Sequence, residues 1–469
     1  MEQSTNTFDY DLVCIGSGPA GQRGAVQAAK LGRRVALIER RGTLGGVCLD
    51  TGTIPSKTFR EAIVALAAEA GRITGSMERA ARPRPTAKDL LARIEMVVAR
   101  EATVIANQLS RNGVDVMCGD ASFKDPHRIT IRAMDGSREI SAANVLIATG
   151  TEATPAPGIS PDAEVIFTSD DIARLKVLPR TLAVVGAGVI GIEYASMFAA
   201  LGVAVTIVDK RDRPLEFLDT EIVDELLSQM RRYNVSFRFG EAVDHLEISE
   251  GPPRRAVLML ESGKRLVADM ALFSVGRQGA TQSLALENAG LAADDRGRIK
   301  VGSDFRTSVP HIFAAGDVIG YPSLAATSSE QGRLAACYAL GAPATPMSKH
   351  FPLGIYSVPE ISMVGDAEHT LTKAKVPYES GVARYREIAR GQILNDDTGF
   401  FKMLFHREDR RLLAVHCLGT GATELVHVGQ AVLGLGGGLD YFLETVFNYP
   451  TLAECYKVAA LDASNKLRG

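Results

Sequence analysis

Residues 10–39, YDLVCIGSGPAGQRGAVQAAKLGRRVALIE, begin with a short apolar run and break at a cluster of glycines. They continue through an alanine-rich segment and return to an apolar run that ends in an acid. A short apolar run bounded by glycine reads as a buried strand, and the alanine-rich stretch reads as a helix, so the segment is a βαβ unit. Gly16, Gly18 and Gly21 fall in its turn as GxGxxG. Where side chains are missing, backbone N–H groups and a helix N-terminus can approach a pyrophosphate. Glu39 follows Gly21 by 18 residues, a separation at which a carboxylate can bond ribose hydroxyls. Glycine spacing alone marks only a tight turn. The strand before it, the helix after it and the acid at that distance make it a dinucleotide site.

The same grammar returns at residues 181–210, TLAVVGAGVIGIEYASMFAALGVAVTIVDK. Gly186, Gly188 and Gly191 repeat the motif, and Asp209 again follows the last glycine by 18 residues. Asp209 suits the free 2′-hydroxyl of NAD(H). Lys210, Arg211 and Arg213 come directly after it and suit the 2′-phosphate of NADP(H), or else form an unliganded solvated loop.

A chain of 469 residues exceeds one hydrophobic core and divides into about three domains. Between the two glycine units we expect a helix around Lys88 to Asn112 and strands near Val114 to Met117 and Ile129 to Arg132. The apolar strand NVLIATG follows, then a PAPG crossover. MALFSVGR closes the inserted unit, and IFAAGDV adds a buried strand ending in Gly316 and Asp317. From about His350 the pattern changes to alternating strands such as FFKMLF and LLAVHCLG and a glycine-rich helical segment. ARPRPT reads as an exposed loop. The expected division is a first dinucleotide domain over 1–155 that resumes at 276–349, an inserted dinucleotide domain over 156–275, and a third domain over 350–469. In class this is α/β, two Rossmann-like domains with a C-terminal α+β domain.

Composition narrows the partners. Lys+Arg total 52 against 55 Asp+Glu, a formal charge of −3, and no basic block is long enough to bind a polyanion, which excludes nucleic acid. The opening MEQSTNTFDYDLV lacks a basic and apolar leader, and no uncharged apolar run reaches the roughly 18 residues of a membrane span. A cytoplasmic chain without a membrane partner is expected. Cys14, Cys48, Cys118, Cys337, Cys417 and Cys455 are scattered without paired spacing, which argues against a disulfide scaffold or a metal module.

GGVCLDTGTIPSK, residues 45–57, resembles the GGxCxxxxCxPxK signature of the flavin-dependent disulfide reductases, the family of glutathione reductase and lipoamide dehydrogenase. DFRTSVPHIFAAGD resembles that family's second FAD motif, GDASF its adenine-contacting loop and YPTLAE its C-terminal HPTxxE, so the likeness spans nearly the whole chain. It implies that the first domain holds FAD among Gly16, Gly18, Gly21, Glu39, Arg40, Gly45, Gly46, Cys48, Ala121, Gly150, Gly316 and Asp317, with Asp317 on the ribityl chain. It implies further that the inserted domain holds a nicotinamide dinucleotide at Gly186, Gly188, Gly191, Asp209, Arg211 and Gly276, and that the third domain makes a homodimer or larger homo-oligomer. Lys57 and Glu193 match the family's ion pair beside the flavin's reactive ring nitrogen and are the expected catalytic pair; without the resemblance they read as an ordinary salt bridge between helices.

Two positions depart from the pattern. Thr53 stands where the second redox cysteine belongs, and a hydroxyl cannot form or break a disulfide. Tyr449 replaces the catalytic histidine, and an ordinary phenol near pKa 10 is a poor proton shuttle. Glu454 remains without its usual partner. The disulfide half-reaction is lost while both nucleotide fingerprints are kept, a combination similar to the soluble pyridine nucleotide transhydrogenases. That likeness implies reversible hydride transfer between NADPH and NAD+ through FAD. Cys48 is then either a packed remnant or a thiolate tuned by a helix N-terminus. His427, on a helical and mostly apolar segment, is expected to be structural. The rival readings are a single-cysteine reductase, peroxidase or diaphorase of the same family, and a non-enzymatic sensor of nucleotide redox state.

Overall fold

The computed structural model describes residues 7–69, 86–154, 161–249 and 251–468. The PAPG crossover and all of ARPRPT except Thr86 lie outside the described residues. Strand Tyr10–Ile15 runs through the middle of a parallel sheet, between Val35–Glu39 on one side and Gly136–Ile147 on the other. Asp115–Cys118 extends the sheet beyond Val35–Glu39. Ile312–Ala314, far along the chain, joins in parallel beside Gly136–Ile147. Leu12, Val13 and Cys14 are wholly buried because both faces of this sheet are covered, which is why the strand reads as one apolar run rather than an alternation. Strand 312–314 stops at Ala314, short of the expected Gly316 and Asp317. Gly316 takes φ +81° and turns Asp317 into a short 3-10 turn.

The inserted unit builds its own parallel sheet, in the order Val235–Phe239, Ala204–Asp209, Thr181–Val185, Met270–Phe273 and Ile166–Thr168. An antiparallel ribbon of Thr151–Ala153 against Arg277–Gly279 brings the chain in and out of this unit side by side. Helix Val189–Ala200 is buried from Gly191 through Ala200. It is packed between its own sheet and helix Thr53–Glu69 of the first unit, with Phe59 lying 6.4 Å from Tyr194 and 5.9 Å from Phe198 between ring centroids. This crossing of two helices joins the glycine units.

The third region is a five-stranded antiparallel sheet, Leu353–Ile355, Ile361–Gly365, Leu412–Leu418, Phe400–His406 and Tyr378–Arg384. The expected alternation in FFKMLF and LLAVHCLG is absent: Phe400 through Phe405 are all buried. Helices Ala422–Gly434 and Glu454–Arg468 lie against this sheet, while Phe400 and Leu418 belong to the core shared with the inserted unit, so side chains on both faces are covered. The architecture is α/β with an α+β C-terminal region.

Candidate functional site

The three glycines of the first fingerprint answer three different steric demands. Gly16 has φ +104°, and a Cβ there would lie 2.4 Å from the Ala148 carbonyl oxygen. A Cβ on Gly21 would lie 1.8 Å from the Gly16 oxygen, so helix and strand meet only because it is missing. At Gly18 a Cβ meets nothing within 4 Å; the space it would enter is open cavity. Glu39, 5% exposed, accepts from Ser17 N at 3.0 Å, from the Ser17 hydroxyl and from Arg41 N at 2.8 Å. Ser17 Oγ in turn accepts from Gly45 N at 2.9 Å, which ties the glycine loop to the segment carrying Gly45, Gly46 and Cys48.

Helix Gly46–Asp50 presents Cys48, and Thr53 at the start of the next helix gives it a hydroxyl hydrogen bond. Burial pushes the Cys48 thiol up, against the pull of Thr53 and Lys57, so it stays protonated at neutral pH. One turn after Thr53, Lys57 Nζ bonds both Glu193 oxygens, at 3.0 and 2.8 Å, across the two crossing helices. Glu193 is 3% exposed and accepts a further bond from Tyr356 N at 2.8 Å, while the Lys57 ammonium stands 4.8 Å from the Tyr356 ring centroid. One carboxylate thus gathers elements from all three regions of the chain.

The second fingerprint repeats the first. Gly186 has φ +102° with the Ser274 oxygen 2.5 Å from a notional Cβ, Gly191 would strike the Gly186 oxygen at 1.9 Å, and Gly188 faces open space. Asp209 accepts from Ala187 N at 2.6 Å and is clamped by Arg211 through its backbone N at 2.8 Å, Nε at 2.9 Å and Nη2 at 2.6 Å. Burial alone would raise the Asp209 carboxyl; the bonds from Arg211 and Ala187 outweigh it and hold it below the ordinary range. Arg211 stays largely accessible, Lys210 is exposed, and Arg213 pairs with Asp224.

Residues 10–332 match the family model described as pyridine nucleotide-disulphide oxidoreductase, and residues 351–460 match that family's dimerisation domain. The chain belongs to the pyridine nucleotide-disulphide oxidoreductase family. Among relatives, it is 51% identical over 462 residues to a soluble pyridine nucleotide transhydrogenase of Mycobacterium bovis, with 98% of each chain covered. It is 42% identical over 472 residues to one from Colwellia psychrerythraea, with both chains fully covered. Among solved structures, it is similar to LpdA from Mycobacterium tuberculosis, with TM-score 0.88, 27% identity, 96% of this chain and 99% of that one. An HOCl-induced flavoprotein disulfide reductase from Escherichia coli, RclA, superposes with TM-score 0.86 at 27% identity, with 96% of this chain and 99% of that one covered. FAD and a nicotinamide dinucleotide are the cofactors of this family.

A cavity of about 550 Å³ fits the larger of these groups. Gly16, Gly18, Glu39, Arg40, Gly46, Cys48, Lys57, Ala121, Gly150, Glu193, Gly316 and Asp317 all line it. The hydroxyls of Thr51 and Thr149, also in its wall, are buried without a hydrogen-bond partner, as groups awaiting a polar ligand would be. Burial raises the Asp317 carboxyl, with Ser328 Oγ at 3.4 Å. Gly21 and Gly45 pack behind the wall, and the second fingerprint's Gly186, Gly188, Gly191, Asp209, Arg211 and Gly276 stand outside this cavity, although Val189, Ile190 and Glu193 of their helix reach into it. Three wall residues escape a reading of motifs. Ser17 is a variable position of GxGxxG, Tyr356 sits in a loop without a motif, and Arg277 adjoins Gly276 and bonds Asp170 at 2.8 Å and the Thr151 oxygen at 3.0 Å. His427, expected within an apolar segment, is exposed, bonds Gln430 at 2.8 Å and borders the cavity. Glu454 Oε2 lies 3.4 Å from Thr451 N at the head of helix Glu454–Arg468.

Proposed function

We propose that this chain is a soluble transhydrogenase that moves hydride reversibly between NADPH and NAD+ through FAD held in the first cavity. The observation that carries the reading is the pairing of Cys48 with the Thr53 hydroxyl: among the described residues lining the cavity, Cys48 is the only sulfur. Electrons arriving there have no disulfide to leave by. FAD bound in the cavity would supply a two-electron store for hydride passed between two nicotinamides, which suits a ping-pong order in which NADP+ leaves before NAD+ enters. Gly18 and Gly150 leave room for the backbone to approach that cofactor, and Glu39 is placed for its ribose. Lys57, oriented by Glu193 and Tyr356, offers a fixed cation to the negative charge that accompanies hydride uptake. Gly188 opens the second helix N-terminus to a nicotinamide dinucleotide, and Asp209 with Arg211 faces its ribose.

The domain limits in this reading remain 1–155 with 276–349 for FAD, 156–275 for the nicotinamide nucleotide and 350–469 for dimerisation. The match to a dimerisation domain and its exposed apolar side chains, including Leu435, Tyr441, Val446 and Tyr449, support a homodimer. Six unpaired cysteines fit a cytoplasmic protein, and among the described residues no helix is long and apolar enough to cross a membrane. The test is transfer from NADPH to thio-NAD+ by purified FAD-loaded protein. Turnover exceeding any reduction of glutathione or lipoamide is expected; robust disulfide reduction without thio-NAD+ reduction overturns the assignment.

A further inference from the structure

Lys402 interrupts the apolar strand Phe400–His406, and its side chain is fully buried. Its ammonium meets Asp219 at 3.1 and 3.2 Å, Glu221 at 2.6 Å and Glu368 at 2.7 Å. Oxygens of the three acids lie within 4.8 Å of one another, the spacing of a cation site, and the ammonium is that cation. Burial holds the neighbouring His416 imidazole down to about 4, so it is neutral at physiological pH and adds no competing charge. An unpaired ion at this depth is strongly unfavourable, so the cluster has few alternative arrangements.

Two of the acids belong to the inserted unit and one to the dimerisation domain, so a single lysine side chain ties the two regions together. Asp219 is 1% exposed and caps helix Thr220–Arg232, accepting from Glu221 N at 3.1 Å. It also ends the loop that starts at Asp209 and carries Lys210, Arg211 and Arg213. That loop is held at its first end by the bond of Asp209 to Ala187 N and at its last end by Lys402, while Arg213 reaches Asp224 on the same helix.

We propose that Lys402 is a positioning residue for nucleotide recognition: by pinning Asp219 it fixes the far end of the 209–219 loop and so sets where Arg211 and Arg213 meet the ribose end of the nucleotide. This rests on the reading of that loop as ribose-facing. A 2′-phosphate needs several cations placed together, whereas a 2′-hydroxyl needs only Asp209, which Ala187 N holds independently, so NADPH depends on the anchor more than NADH does.

The experiment compares wild-type holoenzyme with Lys402→Met, with the charge-balanced Lys402→Met/Asp219→Asn and with Arg211→Ala. The double variant keeps an asparagine cap on the helix and leaves no buried unpaired aspartate, so it folds even where the single variant does not. For the double variant the expected result is an unchanged flavin spectrum, kcat within about twofold and a KM for NADPH raised about fivefold, with the KM for NADH less affected. A lowered Tm with both KM values unchanged would show a merely structural cluster and overturn the proposal. If Arg211→Ala leaves the KM for NADPH unchanged, the loop assignment itself falls, and this proposal with it. A rise in Arg211→Ala without one in the double variant rejects the role of Lys402 alone.

Discussion

Gly188→Ala separates the needs of the ligand from those of the fold. Gly188 has φ −75° and ψ −177°, a conformation alanine adopts freely, and a Cβ there meets nothing within 4 Å. Alanine is a weaker N-cap than glycine but also narrows the unfolded ensemble, and the two effects offset to within about 1 kcal/mol. The protein should therefore fold and melt as before. For the nucleotide the new methyl fills the approach to the helix N-terminus, and losing one charge-assisted hydrogen bond to a phosphate costs about 1.5–3 kcal/mol. That corresponds to a roughly 10- to 150-fold weaker complex. Calorimetric titration of oxidised holoenzyme with NADH and NADPH, alongside a thermal melt, measures both quantities. Gly191→Ala is the contrast, because its Cβ would lie 1.9 Å from the Gly186 oxygen and must disturb the backbone itself. Unchanged affinity in a normally folded Gly188→Ala protein would refute the assignment of this loop, as would a large drop in its melting temperature. Gly18→Ala is the parallel case for FAD retention, since its Cβ also meets open space.

Cys48→Ser should retain NADPH-to-thio-NAD+ transfer within about twofold, because the protonated thiol is packing rather than chemistry; a tenfold loss would put sulfur back in the reaction. Lys57→Met leaves Glu193, 3% exposed, with the Tyr356 N–H as its one remaining carboxylate partner among the described residues, and should slow flavin reduction in stopped flow about tenfold or more; an unaltered rate rejects a catalytic ion pair. His416 is held at about 4 against 6.5 in an unfolded chain, so the unfolded state takes the proton first as pH falls. Its contribution is complete above pH 6.5 and is lost toward pH 4, about 3 kcal/mol in all; a stability difference between wild type and His416→Gln that does not change over that window would contradict this.

What the sequence reveals here is whatever local backbone geometry enforces. Both glycine loops and their acids are legible because spacing and close approach are set within one βαβ unit, as with Gly21 against the Gly16 oxygen and Gly191 against the Gly186 oxygen. Contacts across the chain are a different matter. Lys57 and Glu193 stand 136 residues apart, and only the family resemblance pairs them. Tyr356 supplies an N–H and a ring to that pair from a loop with no signature. Lys402 looks anomalous in FFKMLF until its acids, 181 and 183 residues earlier, come into place. The alternation expected for the third sheet fails for the same reason, since a strand cannot announce that its second face will be covered by another domain.

The threonine at position 53 is informative for what it preserves. It opens helix Thr53–Glu69 and keeps a hydrogen bond to Cys48, so the packing of a redox pair survives without its second sulfur. Lys57 follows four residues later on the same helix face and still enters the cavity. In the proposed reaction the chain lacks a disulfide exit while retaining a lysine that would face the hydride-accepting end of the flavin. A protein altered in that way needs a second nucleotide to take the hydride away, and in the proposed reaction the same inserted site must read a 2′-hydroxyl on one visit and a 2′-phosphate on the next. An unpaired Asp209 would repel the phosphate, and an arginine without the aspartate would forgo the hydroxyl contact. The Asp209–Arg211 clamp, one member buried and the other accessible, presents both groups with their charges mutually compensated, which is the compromise that alternating use of a single site requires.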